Sequence, residues 1–111
     1  MAAINEYRQI IQRILRDHAS IPFSFSPAQM QTVFDENADH YLIMLLGREE
    51  GKRVHGCLAH VDIINGKFWI QRDGTEDGIA AALLEAGVPR DHIVLGFRSP
   101  ELRKHTGFAV E

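Results

Sequence analysis

The sequence predicts an α+β fold: an N-terminal helix, a mainly antiparallel sheet of about four to five strands, and two short C-terminal helices packed on one sheet face. Three observations predict it. Apolar side chains recur at helical spacing between residues 4 and 15. Two strand-like runs meet at Asn65-Gly66, a strong hairpin signal. Helix punctuation, Gly87 with Pro89 and then Ser99 with Pro100, follows in the last quarter of the chain.

The first helix places Ile4, Tyr7, Ile10, Ile11, Ile14 and Leu15 on one side, while Glu6, Arg8, Gln9, Gln12, Arg13 and Arg16 fill the other. It ends near Ser20, because Pro22 lacks an amide donor and disfavours helical backbone at Ile21. Residues 24–27 read as loop and residues 30–34, with Thr32 and Val33, as a short strand. Asp35-Glu36-Asn37-Ala38-Asp39 supplies turn formers. Residues 41–46 then form a strand that is apolar on both faces. Gly47-Arg48-Glu49-Glu50-Gly51 punctuates the chain before a longer strand over Lys52–Ile64. A two-residue type I′ turn at Asn65-Gly66 needs positive φ at both positions and leads into a strand over residues 67–72.

Asp73 is expected to cap the next helix, with Glu76 three residues on as its reciprocal partner. That helix runs to about Ala86. Gly87 suits the left-handed residue beyond it, Val88 supplies an apolar contact, and Pro89 prevents continuation. Residues 92–97 read as a further strand. Ser99 caps a last helix with Pro100 at its first position, and Gly107 ends it. Residues 1–111 accordingly read as a single domain.

Composition removes several function classes. Hydrophobic residues at 45% and charged residues at 24% are an ordinary globular mixture. The longest apolar run, residues 41–46, is too short for a bilayer, and the N-terminus lacks a basic region followed by a continuous apolar stretch. A cytoplasmic location without membrane association is therefore expected. The one cysteine, Cys57, permits neither an internal disulfide nor a cysteine-based zinc site and reads as a small buried thiol in a strand. Twelve basic against fifteen acidic side chains give a net charge of −3, the wrong sign for gripping phosphates. The basic residues are scattered and have no interleaved aromatic platform, so direct nucleic-acid binding is disfavoured.

A two-residue turn at Asn65-Gly66 sets the pairs Ile64 with Lys67, Ile63 with Phe68, Asp62 with Trp69, Val61 with Ile70, and His60 with Gln71. One face then carries Cys57, Ala59, Val61, Ile63, Phe68 and Ile70 and must pack against helices. The other carries Leu58, His60, Asp62, Lys67, Trp69 and Gln71. That half-polar face is either the solvated side of an antiparallel sheet or a docking surface. The strand at 41–46 favours docking, because its outer side leaves an apolar strip beside Trp69 that needs cover. We expect self-association or a partner there, with Trp69 as anchor and His60, Asp62 and Gln71 giving directional polar contacts.

Chemistry has thinner support. His60 and Asp62 lie two apart on one strand face, a spacing that can orient an imidazole or give two metal ligands, but two ligands do not make a site. His55 points to the opposite face, and His18, His40, His92 and His105 have no spacing that recruits them. No metal, cofactor or catalytic residue is therefore expected. The charged stretch Arg72, Asp73, Thr75, Glu76 and Asp77 is accounted for by charge placement at a helix start. Gly74 and Gly78 do not form a phosphate-cradling loop. Arg103, Lys104 and His105 read as a solvated helix end.

The segment RVHGCLAHVDIINGKFWIQRDGTE at 53–76 is similar to the signature of the XisI family. Gly87-Val88-Pro89, IVLGF at 93–97, SPELRK at 99–104 and TGFAV at 106–110 match that family's closing half in order and spacing, and YRQIIQ at 7–12 resembles its opening helix. Arg48 follows Gly47 where the family is expected to carry an aromatic residue, and His18 stands where a tyrosine is usual. The resemblance implies a cyanobacterial accessory protein named for controlling excision of the fdxN nitrogen-fixation DNA element by a site-specific recombinase. It implies XisH, of a family resembling restriction-type endonucleases, as the usual companion. It supplies no catalytic residues. The expectation is thus a non-catalytic regulatory protein that self-associates and engages a XisH-like partner. The alternative is an enzyme or nucleic-acid-processing factor built on His60 and Asp62 with Arg72 and Asp73.

Overall fold

The structure, a computed structural model, describes residues 2–20 and 28–111. Helix α1 spans Ala2–Ala19, and strands β1 to β4 span Gln29–Asp35, His40–Glu49, Lys52–Ile64 and Lys67–Asp73. Helix α2 (Ile79–Glu85) and a 3-10 turn (Arg90–His92) lead to β5 (Ile93–Leu95), and α3 (Pro100–Arg103) follows. The sheet runs β1-β2-β3-β4-β5. Its first four strands are antiparallel neighbours, while β5 pairs with β4 in parallel. A parallel neighbour needs a crossover connection, and α2 provides it.

The core lies between α1, α2 and one sheet face. Ile11 and Leu15 of α1 meet Tyr41, Ile43, Ala59, Val61, Ile63, Phe68 and Ile70 of the sheet, with Ile79, Leu83, Val88 and Ile93 closing the cluster. Tyr7 stacks on Phe68 with ring centroids 4.7 Å apart. Burying a side chain of this size contributes about 1.5–3 kcal/mol, so this stripe decides which side of α1 faces the sheet. Gln12, placed by the sequence pattern on the polar side, is buried; it donates to Glu36 at 2.6 Å and accepts from Arg16 at 3.1 Å. Helix α1 ends at Ala19, matching the stop expected near Ser20, while Pro22 and the loop expected at residues 24–27 lie outside the described residues. Among the described residues no helix is long and apolar enough to cross a membrane.

The turns follow the sequence closely. Asn65 and Gly66 take φ of 52° and 76°, and Glu50 and Gly51 take 52° and 78°. Strand β2 therefore continues through Gly47, Arg48 and Glu49 instead of ending at Leu46. After α2, the Val88 amide donates to Leu83 O and the Gly87 amide to Leu84 O, both at 3.0 Å, closing the helix as the Gly-Val-Pro run predicts.

Five expectations need correction. The β3–β4 register shifts between Val61 and His60, so His60 faces Arg72 and Gln71 is the extra residue of a β-bulge. A second bulge pairs Ile43 with Ala59 but Met44 with Cys57, which leaves Leu58 as the extra residue there. Asp73 does not cap α2, whose N-cap is Gly78. Its carboxylate instead reaches forward, accepting from the Thr75 amide at 2.9 Å, the Thr75 hydroxyl and the Ile79 amide at 2.7 Å, and Glu76 takes no reciprocal role. The strand expected over 92–97 is confined to β5, and α3 is one turn long, so Gly107 lies beyond its end.

Helix α2 packs beside α1 on the core side. From α3, the Arg103 guanidinium carbon reaches to 5.1 Å from the centroid of Trp69, on the opposite side of β4 from Phe68 and Ile70.

Candidate functional site

The outer face of the sheet is built on the pairing of β2, β3 and β4. His40 opens β2 and lies opposite Asp62 in β3, and Asp62 lies opposite Trp69 in β4. His60 is two residues before Asp62 and projects from the same side. These positions bring three polar side chains together. Asp62 Oδ1 accepts from His40 Nδ1 and from His60 Nε2, each at 2.7 Å, and Asp62 Oδ2 accepts from Gln71 Nε2 at 3.3 Å. A carboxylate offers only acceptors, so each imidazole meets it through an N–H.

Burial is graded across the cluster. Side-chain exposure is 10% for Asp62, 31% for His60 and 50% for His40. Asp62 and Gln12 are the buried polar residues among those described, and Asp62 is held by three donors. The hydrogen bond that His40 donates to Asp62, and then the negative charge of Asp62, raise the pKa of His40 above its ordinary value. The two rings stand 6.1 Å apart at 73°.

Of the six side chains expected on this face, His60, Asp62, Trp69 and Gln71 occupy it together. Leu58 does not; as a bulge residue it packs against the core cluster. Cys57, expected on the core side, pairs with Met44, and its thiol donates to Ala59 O at 3.2 Å. Lys67 sits at the hairpin end, where its ammonium donates to the Glu111 carbonyl at 2.6 Å. Trp69 is half-buried beneath Arg103, whose Nε and Nη1 also donate to Arg98 O and Val110 O at 3.0 and 3.1 Å. The chain thus shields its own indole, which the sequence left uncovered.

The Arg72-Asp73 corner does not join His60 and Asp62. Arg72 faces His60 in the ladder, but its Nε donates to Cys57 O at 2.7 Å, and Asp73 is occupied by Thr75 and Ile79. Further along the face, Leu42 and Met44 are half-buried and Val33, opposite Leu42, is 49% exposed. The apolar strip expected from residues 41–46 is therefore narrower than the sequence suggested, and its open part is borne by β1.

Sequence reasoning missed His40. It lies 22 residues from Asp62. Counting back from the Glu50-Gly51 turn without a bulge would place it opposite Val61, on the core side. The extra residue at Leu58 turns it outward.

Comparison with known proteins covers nearly all of the chain. A family model described as XisI protein matches residues 1–110. Among solved structures, a XisI-like protein from Anabaena variabilis ATCC 29413 superposes with a TM-score of 0.89 and 32% identity, over 97% of this chain and 99% of that one. The fdxN element excision controlling factor XisI from the same organism superposes with a TM-score of 0.83 and 33% identity, over 98% and 99%. No curated protein matches.

Proposed function

The chain belongs to the XisI family, and from that premise we propose that it is a non-catalytic regulatory protein acting in the cytoplasm through protein contacts, both with itself and with a XisH-like partner of nuclease fold, in the control of DNA-element excision. The observation that carries this reading is the full-length similarity to a protein described as an excision controlling factor. Two features of the chain support it. The net charge of −3 suits a protein partner better than phosphates. The outer sheet face combines apolar Val33, Leu42 and Trp69 with polar His60, Asp62 and Gln71, the mixture of an anchored interface.

The test is co-purification of the full chain with its XisH-like partner, together with light scattering of the chain alone and of the mixture. Trp69→Ala and Val33→Asp should each weaken capture of the partner or lower the mass of the assembly. Full capture and unchanged mass in both variants would remove the outer face from the contact. A monomer that ignores the partner would end the reading. The rival reading, an enzyme or nucleic-acid-processing factor using His60 and Asp62, requires the isolated chain to turn over DNA and lose that activity in His60→Ala.

A further inference from the structure

We propose that His40, His60 and Asp62 form a three-ligand site for a divalent transition metal of the zinc class. The donor atoms, one from each residue, lie within 4.8 Å of one another. Two imidazole nitrogens and one carboxylate oxygen are the donors found in open zinc sites with three protein ligands, whereas calcium and magnesium take oxygen donors. A zinc ion about 2.0–2.2 Å from each donor requires donors roughly 3.3 Å apart in tetrahedral geometry. The ring nitrogens stand 2.7 Å from Asp62 Oδ1 and the three donors spread over up to 4.8 Å, so admitting the ion asks the imidazoles to back away from the carboxylate and to draw toward each other. His40, half exposed at the start of β2, is the residue free to give way.

The surroundings favour metal binding in three further respects. Two ligands sit on β3 and the third is fixed opposite Asp62 by the β2–β3 ladder, so a hydrogen-bonded sheet positions all three. Gln71 Nε2 holds Asp62 Oδ2 and so turns Oδ1 toward the histidines, the orienting role that partners of metal-bound carboxylates play. The exposed side of His40 leaves a path for the ion and room for a water in the fourth position. Cys57 and His55 lie outside the cluster. The competing account is a hydrogen-bonded trio in which the carboxylate is satisfied by N–H donors alone; the ion would replace those two protons.

The experiment uses the full chain, stripped with chelator and titrated with Zn²⁺ by calorimetry, with Co²⁺ as an optical probe whose visible absorption reports its coordination. One ion per chain should bind. His40→Gln, His60→Gln and Asp62→Asn should each weaken binding by more than tenfold, and Gln71→Ala by about 10–100-fold. His55→Gln, on the same strand but outside the cluster, should bind as the parent does. Where a variant fails to keep the parent circular dichroism, the imidazole resonances of the parent decide: those of His40 and His60 should shift together and saturate at one equivalent. No saturable binding by the parent, binding that survives loss of both histidines, or equal weakening by His55→Gln would overturn the proposal. Its failure would leave the protein-contact reading standing, because that is read from mass and capture.

Discussion

Arg103 ties the C-terminal segment to the outer face, and its removal can be given a size. The guanidinium lies 5.1 Å from the Trp69 centroid and donates to two carbonyls, Arg98 O and Val110 O. An exposed cation–π contact contributes about 0.5–1 kcal/mol. Each hydrogen bond adds about 0.5–1.5 kcal/mol, toward the lower end here because a freed surface carbonyl regains water. Arg103→Ala should therefore cost about 1.5–3 kcal/mol of local docking, and each 1.4 kcal/mol is tenfold in an equilibrium. Opening of residues 96–111 should become about 10–100-fold more frequent. The chain has one tryptophan, so its fluorescence reports this position alone. The emission should move to longer wavelength and become more accessible to quencher. The Ala109 amide, bonded to Ile93 O at 2.9 Å, should exchange with solvent about 10–100-fold faster. Arg103→Lys keeps the charge but loses the planar fork, and should fall between the two. If Arg103→Ala left both the emission and the Ala109 exchange unchanged, the segment would be held by something other than this side chain.

Two other substitutions and a pH titration test the rest of the fold. A Cβ at Gly47, where φ is 148°, would stand 2.8 Å from Ala28 Cα, whereas one at Gly51, φ 78°, meets nothing within 4 Å. Both alanine variants incur backbone strain of about 1–3 kcal/mol, and the clash is added only at Gly47, so urea midpoints should fall clearly further for Gly47→Ala than for Gly51→Ala. Equal losses would show that Ala28 gives way. Arg8 donates to Asp39 at 2.8 Å and, with the Tyr41 hydroxyl, holds that carboxyl below its usual range against the opposing effect of burial. Because the folded pKa is depressed, the stability from this group is present above the unfolded value of about 3.9 and is lost as the pH falls through the lower folded value. Arg8→Gln should reduce stability at pH 7 and flatten its decline in acid; an acid decline as steep as the parent's would assign that loss to other carboxylates.

Much of the architecture was legible because local signals agreed with the global fold. The stripe from Tyr7 to Leu15, the Asn65-Gly66 turn and the Gly87-Val88-Pro89 stop each rest on chemistry confined to a few neighbouring residues. The β-bulges were not legible, since an extra residue in a strand leaves no distinctive composition when Leu58 and Gln71 suit a strand in any register. They cost the sequence reading more than a local error. The bulge at Leu58 removed that residue from the outer face and brought His40 onto it, so the residue that completes the carboxylate cluster could not be found by spacing along the chain. Asp73 was misplaced for a related reason: a carboxylate that reaches six residues forward to Ile79 leaves the same sequence trace as one that caps at once. The shielding of Trp69 depends on a contact between distant segments, beyond any window of local pattern.

The order of the polypeptide gives that shield a consequence during synthesis. Strands β1 to β4 are consecutive antiparallel neighbours and can pair as they emerge, but Arg103 is translated well after Trp69. For an interval on the ribosome the indole and the surface around it have no lid. A companion protein made nearby would find that surface open in a nascent chain and partly closed in a finished one, so joint expression should yield more complex than mixing purified components.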